Sequence, residues 1–279
     1  LKLDTTSKTL SKLAQSHYEN FPVGSLYIPR EFRKPIRLVY AFARVADDFA
    51  DEGDESAQTR VKKLDDWEKE LNEALNGGEA AEFFMDLSQV IKANSMPPSL
   101  FSDLLEAFRM DARGTSYESF DNLLCYCSRS ANPVGRIILH LFHCASEELC
   151  LYSDKICTAL QLANFWQDLS VDIKRNRVYI PREDLDQFAV GIESLRIGTA
   201  NAGQLLHFEI ERTRRLFDEG RPLLRAIDKR FSFELRLTYN GGMRILEKVE
   251  SLGCEVLVRR PAHSLIDWAL IFTRSFFVR

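Results

Sequence analysis

The sequence predicts an all-α fold, and three observations carry that expectation. Apolar residues recur at helical spacing along almost the whole chain. Alternating β-branched runs joined by hairpin turns are absent, so a sheet has nothing to be built from. Proline and glycine fall where helices should begin and end.

Taken in order, helices are expected near residues 5–20, at 35–52 from Pro35, and at 56–76, closed by Gly77-Gly78. Two more follow at 79–94 and, from Pro98, at 98–112. A long pattern over 118–149 contains Asn132-Pro133. Proline there removes a backbone donor and crowds the preceding turn, so this helix should kink or break and could shape a cavity. Helices at 152–176, 199–229, 231–251 and 261–278 complete the chain. No internal repeat, low-complexity tract or long linker divides it, so residues 1–279 are read as one all-α domain.

Composition narrows the function. Hydrophobic residues make up 45% and charged residues 28%, which suits a globular chain with a sizeable core. With 37 basic and 41 acidic side chains the net charge is -4, which argues against a nucleic-acid partner bound through general basicity. The most apolar stretch, Leu265 to Val278, is interrupted by Asp267 and Arg274, and a spanning helix needs about 20 largely uncharged residues. The polar lead with Lys2, Asp4, Lys8 and Lys12 lacks a signal-peptide pattern, so a cytoplasmic location is expected. Segment 261–278 is read as a core helix, with peripheral contact at the inner face of a membrane as the alternative. The six cysteines form no C-x-x-C pair and are expected to be buried, reduced thiols. His140 and His143, on one helix face, are read as packing residues.

Two segments carry chemistry. In the first, Ile36, Val39, Tyr40, Ala43, Ala46 and Ala50 form an apolar stripe. Asp47 falls on that stripe, Asp51 follows one turn later, and Arg44 precedes Asp47 by three residues. In the second, Ile156 to Ile173, apolar residues occur all round, and the charges are Asp168 and Asp172 on one face. Gln161 and Asn164 continue that line. Unpaired buried charge is very costly, so such a row implies a wet cavity in which hard cations neutralise the acids. Oxygen-only ligands suit Mg²⁺, whose remaining positions water and phosphate oxygens fill. Asp47, Asp51, Asp168 and Asp172 are therefore the expected metal ligands of a Mg²⁺–diphosphate clamp, with Arg44, Arg175 and Arg177 beside them. Structural ion pairing between the two helices is the alternative.

These residues also carry a resemblance. Arg44-Val-Ala-Asp47-Asp-Phe-Ala-Asp51 resembles the first aspartate motif of the squalene/phytoene synthase family, and Gln161 to Asp172 with Arg177-Val-Tyr-Ile-Pro181 resembles the second. The segment Tyr126 to Gly135 is similar to the tyrosine-bearing stretch between them, and order and spacing hold from about His17 to Leu246. Within the family, His17 to Pro22, Ser130 to Gly135, Asn164 to Asp168 and Gly241 to Leu246 are most like the branch that makes hydroxysqualene in bacterial hopanoid biosynthesis.

The resemblance implies an isoprenoid-synthase helical fold with a central cavity and Mg²⁺ between the acid motifs. The implied reaction is a lyase one: ionisation of presqualene diphosphate, rearrangement of the cation, and capture by water. Tyr126 is implied as catalytic, and Arg44 and Arg177 would orient the diphosphate. Phe21, Tyr40, Tyr126, Phe165 and Trp166 are candidates to face the cation. The chain departs from many relatives at Tyr18, Asn20, Gln167 and Asn132-Pro133, which weakens the reading of ordinary two-substrate squalene or phytoene synthesis. It also has Gly242 where relatives usually have tyrosine, and that small residue is expected to leave room for an ordered water. A head-to-head prenyl transferase and a non-catalytic helical binding protein are the rival readings. No G-x-G-x-x-G fingerprint marks a dinucleotide fold.

Overall fold

The structure, a computed structural model, describes residues 29–277. The helix expected at 5–20, and Phe21, lie outside the described residues. Among the described residues every regular element is helical. They fall into two compact units, one comprising residues 29–115 with 136–145, the other 116–135 with 146–277.

The first unit is built from α1 (Arg30–Asp51), α2 (Ala57–Leu75), α3 (Glu82–Ala93), α4 (Ser99–Arg113) and most of α6 (Asn132–Leu141). Its core is aromatic. Trp67 of α2 packs edge-on against Phe84, centroids 4.5 Å apart, and Phe42 of α1 meets Phe101 at 5.4 Å. Such pairs add about 0.5–1.5 kcal/mol beyond their area burial. Helix α1 begins at Arg30, before the expected start, and runs through Pro35. At its other end Arg60 of α2 donates to the carbonyls of Ala50 and, at 2.6 Å, Gly53. Those bonds satisfy carbonyls that a helix terminus leaves open, and they fix the end that carries Asp47 and Asp51. Arg109 of α4, 8% exposed, is held by Asp65 at 2.9 Å and Glu68 at 2.7 Å.

The second unit centres on α7 (Glu147–Asp172), 26 residues long and N-capped by Ser146, whose side chain accepts from the Leu149 N–H. Around it lie α5 (Phe120–Ser130), α8 (Arg182–Gln187), α9 (Ile192–Ile197), α10 (Ala200–Gly220), α11 (Leu223–Ala226), α12 (Lys229–Leu252) and α13 (Leu265–Phe277). Helices α10 and α12 pack along α7. A Cβ on Gly220 would stand 2.6 Å from Ile156 Cγ1 and 2.8 Å from the Tyr152 carbonyl, so only glycine allows α10 that close. Trp166, fully buried, donates its indole N–H to Thr213 Oγ1 at 2.8 Å.

The expected helix at 118–149 is two. It breaks at Ala131, and Asn132-Pro133 opens α6, where proline needs no intrahelical donor. Thr158 of α7 pins the break by donating to Asn132 Oδ1 at 2.9 Å. The helix then ends at Leu141, and His143 has φ 54, so His140 and His143 do not share a helical face. Pro222 divides the expected 199–229 helix in the same way. Of the cysteines, Cys127 and Cys157 are buried, and burial pushes both thiols up to about 12. Cys125 is exposed and the other three are half-buried, so the expectation of uniformly buried thiols fails.

A buried charge cluster ties α8 to α10. Arg212 Nη2 pairs with Asp184 and, at 2.7 Å, with Glu209, while its guanidinium stacks 3.6 Å from the Phe120 ring centroid. Two carboxylates share one guanidinium, and burial raises Glu209 from 4.5 to about 8. Between about pH 4.5 and about pH 8 the folded chain therefore holds a proton that the unfolded chain has released, so stability falls as pH rises. Glu209→Gln should flatten that alkaline decline. Melting temperatures measured across the range check this, and equal slopes for both proteins would show that Glu209 is ionised in the fold.

Candidate active site

In the first unit the buried side of α1 is broader than the predicted stripe. Phe32, Ile36, Leu38, Val39, Ala41, Phe42, Val45, Ala46 and Ala50 are all buried. Tyr40, Ala43, Arg44 and Asp47 instead share a half-open stripe beside it, and Asp51 at its end is exposed. Arg44 spans three acids: Asp47 at 3.1 Å, Asp48 at 2.7 Å and Glu52 at 3.6 Å. Its Nε is buried with no hydrogen-bond partner among the described residues. Burial, followed by the neighbouring Asp51, raises the Asp47 carboxyl from 3.8 to about 6, although 41% of its side chain remains accessible. A half-covered, crowded carboxylate open to solvent suits a cation arriving from outside.

In the second unit α7 is closed on most sides, and one stripe stays half-open. That stripe is Gln161, Asn164, Gln167, Asp168, Val171 and Asp172, with Phe165, Trp166, Leu169 and Ser170 buried between its members. The row of polar residues predicted from sequence is therefore real. Asp168 is engaged by Arg260, whose Nε donates to Oδ1 and whose Nη2 lies 3.5 Å from Oδ2. Next to it, Gln167 donates to the Pro261 carbonyl at 2.8 Å. After Asp172 a 3-10 turn, Ile173–Arg175, and Asn176 at φ 57 reverse the chain, and the Arg177 N–H returns to the Asp172 carbonyl at 2.9 Å. Arg177 is half-buried, while Arg175 is exposed.

An aromatic cluster gathers around Phe165 of the same helix. Phe165 and Tyr179 stack with centroids 3.8 Å apart and planes 9° from parallel. Tyr126 lies 6.1 Å from Phe165 and 6.3 Å from Tyr179, and Tyr117 closes the group at 5.5 Å from Tyr126. Aromatic faces attract cations, so this group could face a carbocation. Tyr117, Tyr126 and Phe165 are buried, as Trp166 is, and Tyr179 is the half-open member of the group.

Sequence reasoning missed Arg260, Tyr117 and Tyr179. Tyr179 lay inside the quoted Arg177 to Pro181 motif and was not singled out. Arg260 carries no local signal, because it reaches Asp168 across 92 residues of chain. The suggestion that Gly242 leaves room for water is corrected by packing. A Cβ there would stand 2.5 Å from Leu160 Cδ2 and 2.7 Å from Phe217 Cζ, so the space is already filled.

The residues fit Mg²⁺. Asp47 is crowded enough to take up a proton readily, and a guanidinium stands at Asp168 as a stand-in cation. Elsewhere, His207, Glu211 and Glu250 bring three ligand atoms within 4.8 Å of one another, but Arg214 already bonds both carboxylates.

The Squalene/phytoene synthase family profile matches residues 14–267. The chain belongs to that family. It is 36% identical over 237 residues to a hydroxysqualene synthase of Rhodopseudomonas palustris, covering 84% of this chain and 80% of that protein. A hydroxysqualene synthase of Zymomonas mobilis is 37% identical over 226 residues, 78% of this chain and 74% of its own length. Among solved structures, the squalene synthase HpnC from Alicyclobacillus acidocaldarius superposes with a TM-score of 0.82 at 38% identity, covering 88% of this chain and 93% of that one. A dehydrosqualene synthase structure at 19% identity, with a TM-score of 0.83 and coverage of 97% and 95%, shares the fold.

Two measurements check these assignments. Gly242→Ala should destabilise by about 1–3 kcal/mol through overpacking, and a neutral change in denaturant unfolding would reopen the site to water. Asp47→Asn should raise the metal-free melting temperature at about pH 8, because a carboxyl raised to about 6 stabilises the fold less once it ionises. That gain should shrink toward about pH 4, where the wild-type group is protonated. A pH-independent effect would mean that Asp47 titrates normally.

Proposed function

We propose that the protein is a hydroxysqualene synthase, a Mg²⁺-dependent carbon–oxygen lyase. It would convert presqualene diphosphate and water to hydroxysqualene and diphosphate. The observation that carries the proposal is the 36–37% identity to hydroxysqualene synthases over more than three quarters of the chain. The two acid-bearing stripes support it, because each offers oxygen ligands and an adjacent arginine.

Asp47 and Asp51 on α1 and Asp168 and Asp172 on α7 would hold the metal. Mg²⁺ supplies Lewis-acid neutralisation of the departing diphosphate. Arg44, with its open Nε, and Arg177 would bind the same anion through charge-assisted hydrogen bonds, and Gln161 and Asn164 would orient it. As the carbon–oxygen bond breaks, its electron pair leaves with the diphosphate. The aromatic faces near Tyr126, and Tyr40 on α1, would stabilise the cation left behind by about 0.5–2 kcal/mol per contact. Water adds to that cation and loses a proton to solvent, so no reductant is consumed. Phe21 belongs to the same proposal from its motif alone.

A second reading has one specific support: the Alicyclobacillus structure is that of a squalene synthase. Reduction of the same cation to squalene would need a hydride donor such as NADPH. We propose that a long prenyl substrate also brings the protein to a membrane surface as a peripheral partner; among the described residues no helix is long and apolar enough to cross one.

Incubation with presqualene diphosphate in ¹⁸O-labelled water, with and without NADPH, separates the readings. The proposal expects a labelled tertiary alcohol in both cases, and its loss by about 10²-fold or more in Asp47→Asn and Asp168→Asn. Squalene formed only with NADPH would establish the second reading. No turnover under either condition would leave a helical binding protein.

A further inference from the structure

The proposed reaction ends when water reaches the cation, and the packing around Gly242 leaves no seat for that water. The break between α5 and α6 has the groups to supply one. Ser130 ends α5, Ala131 separates the helices, and Asn132 opens α6. Just beyond, α6 lies directly on α7. A Cβ on Gly135 would collide with Ser153 Oγ and stand 2.5 Å from Cys157 Sγ, so a larger residue does not fit there. The surroundings are apolar, for Cys127, Ala131 and Ile137 are all buried. Two polar side chains nevertheless sit at the break, and a third reaches it from α7.

Thr158 of α7, 5% exposed, donates to Asn132 Oδ1 at 2.9 Å. That bond fixes which way the half-buried Asn132 amide turns, and its NH2 has no partner among the described residues. Two residues earlier, Ser130 Oγ is buried and also has no hydrogen-bond partner among the described residues. Leaving a buried hydroxyl unpaired costs about 1–3 kcal/mol, and ordered water is an ordinary partner for such a group. The break also lies in line with the candidate site. Tyr126 and Ser130 are four residues apart on α5, and Thr158 and Phe165 seven apart on α7, so each pair shares a helical face. Tyr126 lies 6.1 Å from Phe165 at one level, and Asn132 bonds Thr158 at the other. Along α7 these levels are about 10 Å apart, and Asp168 is about 15 Å from Thr158. The aromatic group therefore stands between the polar break and the acids.

We propose that Asn132 and Ser130 hold the water that captures the cation, and that Thr158 is the residue that positions Asn132. Water bonded to the Asn132 amide and to Ser130 Oγ keeps a lone pair for the cation. That lone pair forms the new carbon–oxygen bond, and the resulting oxonium releases a proton to solvent, leaving the alcohol. The diphosphate departs at the acid end of α7, on the other side of the aromatic group. The inference rests on the proposed function and deepens it by naming the residues that hold the nucleophile.

One arm of the test needs no substrate. A high-resolution crystal structure of the full chain should show an ordered water within hydrogen-bond distance of both Asn132 and Ser130 Oγ, and a dry break would overturn the inference. The other arm reads products from presqualene diphosphate in ¹⁸O-labelled water. Alcohol is expressed per diphosphate released, so a slower variant does not disguise the outcome. In Asn132→Leu and in Thr158→Val that share should fall about tenfold or more, with hydrocarbons formed by proton loss from the same cation in its place. Thr158→Val keeps the side-chain shape, so it carries the test if Asn132→Leu does not fold. Thr158→Ser keeps the hydroxyl and should keep the alcohol. An unchanged share in Thr158→Val, or an equal loss in Thr158→Ser, would overturn the inference while wild-type alcohol upholds the proposed function. Wild-type protein that makes no alcohol would overturn the proposed function, and the water's role with it.

Discussion

The second unit depends on how closely its helices approach α7. Gly220 of α10 and Gly242 of α12 both meet it over residues 152–160, at distances that leave no room for a methyl group. Interiors packed this tightly have little freedom to relax. The N-terminal half of α7 is thereby fixed, and its C-terminal half can leave one stripe half-open without losing its place. Gln161, Asn164, Asp168 and Asp172 occupy that stripe. The Trp166 to Thr213 hydrogen bond locks the opposite face of the same turns. A site that must hold polar groups to within a fraction of an ångström is better built on such a helix than on a loop.

Charge sets the other constraint. Asp47 has been raised by burial and by Asp51, and Asp168 is accompanied by a guanidinium. Asp47 is held back from ionising by burial and crowding, whereas Asp168 already has Arg260 as its counter-ion. The protein meets the same problem elsewhere by other means. Glu209 shares Arg212 with Asp184 and holds its proton, and Asp267 is surrounded by Lys248, Arg244 and Ser264. Those two sites are closed by their own partners. The acid stripes of α1 and α7 also carry ion pairs, Arg44 with Asp47 and Arg260 with Asp168, but they remain partly open to solvent.

Much of this was legible in the sequence because helical periodicity is local. The four aspartates stand out since each sits where a helix should be apolar. Asn132-Pro133 announced a break because proline lacks a donor whatever surrounds it. Arg260 was illegible for the opposite reason: its partner is distant in sequence and nothing nearby marks it. Gly242 misled, because a small residue reads equally as a cavity or as a close helix contact, and Leu160 and Phe217 decide which. Pro222 was visible in the sequence and still overlooked. The outward apolar face of α13, with Leu265, Ile266 and Phe277 exposed, was half legible, and the expectation of a plain core helix holds for one side of it only. Periodicity gave the helix, but only the ties of Asp267 and Ser275 to α12 show which side is buried.

We propose that the acids of α1, and those of α7, bind diphosphate through Mg²⁺. Calorimetric titration of the protein with inorganic diphosphate, with and without Mg²⁺, tests it most directly. Binding should require Mg²⁺ and should be lost in Asp47→Asn and in Asp168→Asn alike. Diphosphate binding that persists without metal, or that survives either substitution at full affinity, would contradict it.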